Sequence, residues 1–222
     1  MTLTLNIVAA CLCCIWFYWV KQIRSGWLDM PEFRSASRFL DSLPLVSVII
    51  VVKEKEENIS QTVRHLFEQN YPRMEIIAVN DRSSDYTGMR LDELKKWSAR
   101  ETNIKIPLHI IHITHLPKGW TGKNHALFRA VQQARGKYLL FVDAEARLRK
   151  NTIYSAVDYA VHGNVDHLTL LPKMAAQNVW SDGFTKFRLF WWSVLRMPWL
   201  GNDDLRRNRG AGFGAFNFVR RN

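Results

Sequence analysis

Cysteine is confined to Cys11, Cys13 and Cys14, and the rest of the 222-residue chain has none. That excludes a disulfide framework and a cysteine-ligated zinc site from the body of the protein. Charge is missing from Thr2 to Val20, and no basic residue precedes that run, as one would in a secretory signal peptide. Acidic residues are few, 20 against 31 Lys and Arg, which leaves a formal net charge of +11. Such a balance requires a partner or surface of opposite sign. The basic clusters Arg206-Arg207-Asn208-Arg209 and Arg220-Arg221 lie outside any nucleic-acid motif. Nucleic acid is therefore set aside, and an anionic membrane face or a phosphorylated substrate remains. There is no internal repeat and no low-complexity tract. A hydrophobic content of 47% and an aromatic content of 12% exclude disorder.

What is present begins with the uncharged run itself. Thr2 to Val20 is about as long as a helix needs to be to cross the hydrocarbon core. Trp16, Tyr18 and Trp19 gather at its end, and Lys21 and Arg24 follow at once. The run reads as a transmembrane helix over residues 1–21 rather than a buried core helix. The charge on its carboxyl side puts the rest of the chain in the cytoplasm. Residues 22–44 read as a juxtamembrane linker, with Pro31 and Pro44 as punctuation.

From residue 45 the pattern alternates. Strands are predicted at Val46–Val52, Met74–Val79, Leu108–Ile113, Tyr138–Val142 and His167–Leu171. Helices are predicted at Asn58–Gln69, Tyr86–Ala99, Gly122–Ala134 and from an Asn151 cap to Val161. The fold class is α/β: a mostly parallel sheet with helices on both faces, in one domain over residues 45–222. Asn178 to Leu200 interleaves Trp180, Phe184, Phe187, Phe190, Trp191 and Trp192 with Lys186, Arg188 and Arg196. A membrane-surface helix and a core helix both fit that pattern. Gly210 to Val219 reads as a strand closely approached by other backbone.

The chemistry concentrates at strand ends, where α/β proteins bind ligands. Lys137-Tyr-Leu-Leu-Phe-Val-Asp-Ala-Glu145 is an apolar strand ending in two carboxylates one residue apart. Asp143 and Glu145 suit a divalent cation, Mg or Mn, carrying a substrate diphosphate. Upstream, Gly119-Trp-Thr-Gly-Lys-Asn-His-Ala126 places a glycine turn and Lys123 at a helix start. Asn80-Asp-Arg-Ser-Ser-Asp85 closes the second strand; Asp81 there can accept from a base or ribose, or simply cap a turn. His125 receives no catalytic role.

In order and type these segments resemble family 2 glycosyltransferases of the GT-A, nucleotide-diphospho-sugar transferase fold. Val46-Ser-Val-Ile-Ile resembles the family's first strand, and Asn80-Asp-Arg-Ser-Ser-Asp85 its Asp-Asp-Gly-Ser-Thr-Asp segment. Asp143-Ala-Glu145 is similar to its Asp-x-Asp metal motif, and Gly212 to Arg221 to its later glycine-rich strand. Gly-Trp-Thr-Gly-Lys is closest to membrane-tethered members of the hopene-associated, carotenoid and ceramide type. The resemblance implies inverting, metal-dependent transfer of a sugar from a nucleotide-sugar donor to a hydroxyl acceptor, a lipid or membrane-embedded one. It implies donor-binding roles for Asn80, Asp81, Lys123 and Asp143, and metal-binding roles for Asp143 and Glu145. The first loop departs from the family's Ala-Arg-Asn-Glu-Glu, with Val52-Lys-Glu-Lys-Glu56 in its place. The family's acceptor-activating acid, in a Glu-Asp pair, has no counterpart here. The general base is therefore expected beyond Asn222, in a chain incomplete at its carboxyl end, and not at Asp203 and Asp204. A nucleotidyltransferase and a catalytically incomplete nucleotide-sugar-binding protein are the alternatives.

Overall fold

Val46–Val52 (β1) has no polar side chain but Ser47, and such a run suits a strand covered on both faces. In the computed structural model, which describes residues 2–33, 42–171, 178–202, 212 and 214–221, β1 is central in a six-stranded sheet. The other strands are β2 (Met74–Asp81), β3 (Leu108–Ile113), β4 (Tyr138–Asp143), β5 (His167–Thr169) and β6 (Phe216–Arg220), in the order β3-β2-β1-β4-β6-β5. The first four strands are mutually parallel, and β6 runs antiparallel to both β4 and β5. Helices alternate with them: α2 (Ile59–Phe67), α3 (Thr87–Arg100), α4 (Gly122–Gln133) and α5 (Thr152–His162), after α1 (Thr2–Leu28). A last helix, α6 (Val179–Arg196), leads into a 3-10 turn at Pro198–Asn202.

α4 lies on the sheet face made by Ile49, Ile77, Val79, Ile111, Ile113 and Leu139. It does so through Ala126 and Ala130, four apart and therefore stacked on one side of the helix, and Ala134 just past its end. Side chains that small let the helix axis approach the strands closely, which sets where its amino end stands. Strand side chains alternate between faces, so Val48, Ile50, Ile76 and Leu140 point away from α4. They too are fully buried, so both faces are covered.

The chain divides into two compact units: Arg34–Pro172 with Phe213–Asn222, which hold the sheet, and Met1–Phe33 with Lys173–Gly212. α6 falls in the second of these units. Residues of the linker expected at 22–44 are helical up to Leu28, because α1 continues through Lys21 and Arg24 and the first proline comes only at Pro31. β2 and β4 each run further than the pattern predicts, so Asn80, Asp81 and Asp143 are strand residues. Asn151 precedes α5 but makes no capping hydrogen bond; its side chain accepts instead from Asn70, at 2.7 Å. The strand expected over Gly210–Val219 is found at Phe216–Arg220, and residues 203–211 lie outside the described residues.

Candidate active site

β2 and β3 lie to one side of β1, and β4 lies on the other. Chain order therefore reverses between β1 and β4, and at such a switch point a crevice opens outside the carboxyl ends of the strands. Asp143, the last residue of β4, pairs with Val51 across this point. The turn after it is closed by Ala146 N–H donating to the Asp143 carbonyl at 2.9 Å. Thr62 of α2 donates its hydroxyl to the Ala144 carbonyl at 2.7 Å, pinning the residue between the two carboxylates.

Each carboxylate meets a lysine. Lys123 Nζ is 2.8 Å from Asp143 Oδ1, brought there by the first turn of α4. Lys55 Nζ, in the loop after β1, is 2.5 Å from Glu145 Oε1, so this pair spans the switch point. The Lys55 hydrogen bond and charge hold the Glu145 carboxyl below its usual range, and Glu145 in turn raises Lys55. The Asp143 side away from Lys123 stays open because residue 214 is glycine. A β-carbon there would stand 3.1 Å from Oδ2.

The loop after β1 is tied to the loop after β2. Glu54 N–H donates to Ser83 Oγ at 3.0 Å, Lys55 N–H to Thr87 Oγ1 at 2.8 Å, and Tyr86 N–H to Glu56 Oε2 at 2.9 Å. Asp85 accepts from Thr87 and from Glu56 N–H, and these bonds hold its carboxyl below the usual range. Asp81 is buried and clasped by its neighbour: Arg82 Nε and an Arg82 terminal nitrogen donate to its two oxygens at 2.8 and 3.1 Å. That bidentate bond keeps the guanidinium firmly charged. The pair packs against the start of α4, where a β-carbon on Gly122 would come within 2.4 Å of Arg82 and 2.5 Å of Asp81. The two glycines of the Gly119–Lys123 stretch thus serve different ends: Gly119 takes a φ of +87°, and Gly122 admits the Asp81–Arg82 pair.

Of the residues singled out in the sequence, Lys123 and Asp143 are in direct contact. Asp81 lies at the foot of the same helix. Asn80 faces the other side of the sheet, where its amide contacts His112 at 3.3 Å and accepts from Ser83 N–H at 3.3 Å. Asp203 and Asp204 lie outside the described residues. His125 is buried with its ring edge-on to Trp120, 5.6 Å between centroids. Sequence reasoning missed Lys55 as a partner of Glu145; its one signal was a basic residue in a loop where an acid was expected.

Asp143 and Glu145, each held by a lysine, are hard oxygen donors of the kind a divalent cation takes, and among the described residues no three His, Cys, Asp or Glu side chains converge. That donor set suits Mg²⁺ or Mn²⁺ completed by phosphate oxygens and water. Beside Asp143 a cavity of about 350 Å³ runs between α4 and the sheet, with Ile49, Val51, Leu127, Val131 and Phe141 as walls and Lys123, Asp143 and Asn217 as its polar lip.

Residues 47–217 match the family model "Glycosyl transferase family 2". The chain belongs to this family. It is 33% identical over 131 residues to the "Probable glycosyltransferase YdaM" of Bacillus subtilis, covering 58% of this chain and 29% of that protein. It is 28% identical over 116 residues to the "Putative teichuronic acid biosynthesis glycosyltransferase TuaG" of the same organism, covering 52% of this chain and 42% of that one. The chain thus matches less than half the length of either relative. The solved structure of the mannosyltransferase PcManGT from Pyrobaculum calidifontis, in complex with GDP-Man and Mn²⁺, superimposes over 98% of this chain and 55% of its own, with a TM-score of 0.63. At 20% identity that likeness speaks for the GT-A fold.

Proposed function

We propose that this family 2 protein transfers a sugar from a nucleotide-diphospho-sugar to a hydroxyl acceptor, inverting the anomeric carbon, with a divalent cation at Asp143 and Glu145. The observation that carries the reading is Asp143 at the switch point, with Lys123 on one side and the open Gly214 side on the other. Asp143 and Glu145 would hold the cation, and the cation would neutralise donor diphosphate charge. Lys123 stabilises the negative charge that builds on the departing nucleoside diphosphate. The Asp81–Arg82 pair and the interlocked β1 and β2 loops form the floor for base and ribose. A base removes the acceptor proton as the hydroxyl attacks in line. No described residue is assigned that role.

The acceptor we propose is a lipid, reached at the cytoplasmic face of a membrane that α1 spans. Apolar walls beside Asp143 support it. So does α1, the one described helix long and apolar enough to cross a bilayer. Its side chains face outward over most of their surface, unlike those of a core helix.

Titration of a nucleoside diphosphate by calorimetry tests the site. Binding is expected with Mn²⁺ or Mg²⁺, and Asp143→Ala is expected to abolish it. Equal affinity in the variant, or indifference to a chelator, overturns the assignment. Release of pyrophosphate from a nucleoside triphosphate would point instead to nucleotidyl transfer.

A further inference from the structure

Trp180, Phe184, Phe187, Trp191 and Leu195 recur at four-, three-, four- and four-residue steps along α6. At about 100° per residue they fall within one stripe on the order of 80° wide. Their exposures are 88, 63, 58, 46 and 76%, so the stripe is not a core face. A contiguous apolar patch of this kind marks a surface that something covers.

A different side of α6 meets α1 within the same compact unit. Phe190 packs on Trp16 with 5.7 Å between ring centroids, and Trp27 Nε1 donates to Ser193 Oγ at 3.1 Å. Just beyond α6, the Trp199 ring fills the space a side chain on Gly26 would need. All three contacts fall on the carboxyl part of α1, where Trp16, Tyr18 and Trp19 give way to Lys21 and Arg24. Aromatic rings followed by basic residues belong at the headgroup level of a bilayer. α6 is thereby held at that level. Its own Lys186, Arg188 and Arg196 interleave with the aromatic stripe, as on helices that lie in the interface of anionic membranes.

We infer that the aromatic face of α6 is a second membrane contact, lying in the headgroup–acyl boundary of an anionic bilayer beside α1. The inference rests on the anchored reading for the level of α1, and it is tested separately from it. The full chain, with Cys11, Cys13 and Cys14 changed to Ala, is placed in vesicles of mixed zwitterionic and anionic phospholipid. Spin labels are attached through Phe184→Cys on the stripe, Asp182→Cys off it, and Leu12→Cys within α1. Collision with oxygen, which concentrates in lipid, is compared with collision with a water-soluble nickel complex. The oxygen-to-nickel ratio is expected to be several-fold higher at 184 than at 182. Equal ratios at the two sites place α6 in water and overturn the inference. Shielding of 184 from both reagents also overturns it, in favour of a protein partner or a second copy of the chain. The label at 12 reports separately on the span: lipid-like at 12 with water-like at 184 removes this inference alone, and the reverse removes the span alone. Phe187→Cys provides the same reading should the 184 variant fail to fold.

Discussion

Lys55 shows how one side chain can alter a site without anchoring the fold. Its ion pair with Glu145 is short, yet both partners are substantially exposed, 38 and 71%. Exposed pairs contribute roughly 0–1 kcal/mol, since solvent screens them and two long side chains must be ordered. Lys55→Ala is therefore expected to leave the midpoint of chemical denaturation nearly unchanged. The same variant is expected to let the Glu145 carboxyl titrate higher, toward its ordinary range, as read by carboxyl carbon NMR. An unmoved Glu145 titration would show that Lys55 does not control it. The lysine matters because it reaches across the crevice from the β1 loop to Glu145, the carboxylate proposed to hold a cation with Asp143.

At the scale of elements, a buried cluster locks the sheet at the end opposite the site. Glu75 of β2 accepts from Ser47 Oγ of β1 at 2.6 Å and from Arg135 N–H, just past α4, at 2.7 Å, with the Arg135 guanidinium at 3.1 Å. Ser47 Oγ in turn accepts from Gly136 N–H at 2.8 Å. One carboxylate thus joins β1, β2 and the turn between α4 and β4, and so helps set how far α4 carries Lys123 toward Asp143. Burial pushes the Glu75 carboxyl up, but the Ser47 and Arg135 hydrogen bonds outweigh it, and it titrates below its usual range. A depressed carboxyl stabilises the fold above its unfolded pKa of about 4.3 and loses that contribution as pH falls through the folded value. Glu75→Gln is expected to be less stable than the parent by about 1–3 kcal/mol at pH 7. Urea denaturation at neutral and acid pH should show the gap narrowing at the acid end; a gap independent of pH would contradict the depressed titration.

For the molecule as a whole, the division into two units separates the proposed chemistry from the proposed anchorage. The sheet unit carries Asp81, Lys123 and Asp143. The other unit carries α1, whose 27 residues make a helix about 40 Å long, ample for a hydrocarbon core of about 30 Å. A charge at mid-span costs roughly 2.5–3.5 kcal/mol on insertion scales, so Leu12→Arg is expected to shift the chain from the membrane to the soluble fraction on carbonate extraction. In inside-out vesicles the sheet unit is expected to be digested by added protease. Protection there would reverse the proposed orientation.

The sequence alone determined the order and kind of elements in the sheet unit, because central parallel strands are continuous apolar runs and the helices between them carry apolar residues at helical spacing. It also located Asp143 and Lys123, since a carboxylate closing an apolar strand and a lysine after a glycine turn are local signals. Other features depended on contacts between segments far apart in the chain. Lys55 meets Glu145 ninety residues later, across a switch point that exists only once β4 has been laid beside β1. At Asp81 the sequence allowed a contact to base or ribose or a turn cap; that β2 extends through it and that Arg82 clasps it emerged only in the folded chain. The α6 stripe fitted a core helix and a membrane-surface helix equally well, because periodicity shows that a face is apolar without showing what covers it. Its exposure in the folded unit decided against the core, since burial is a property of neighbours and not of spacing.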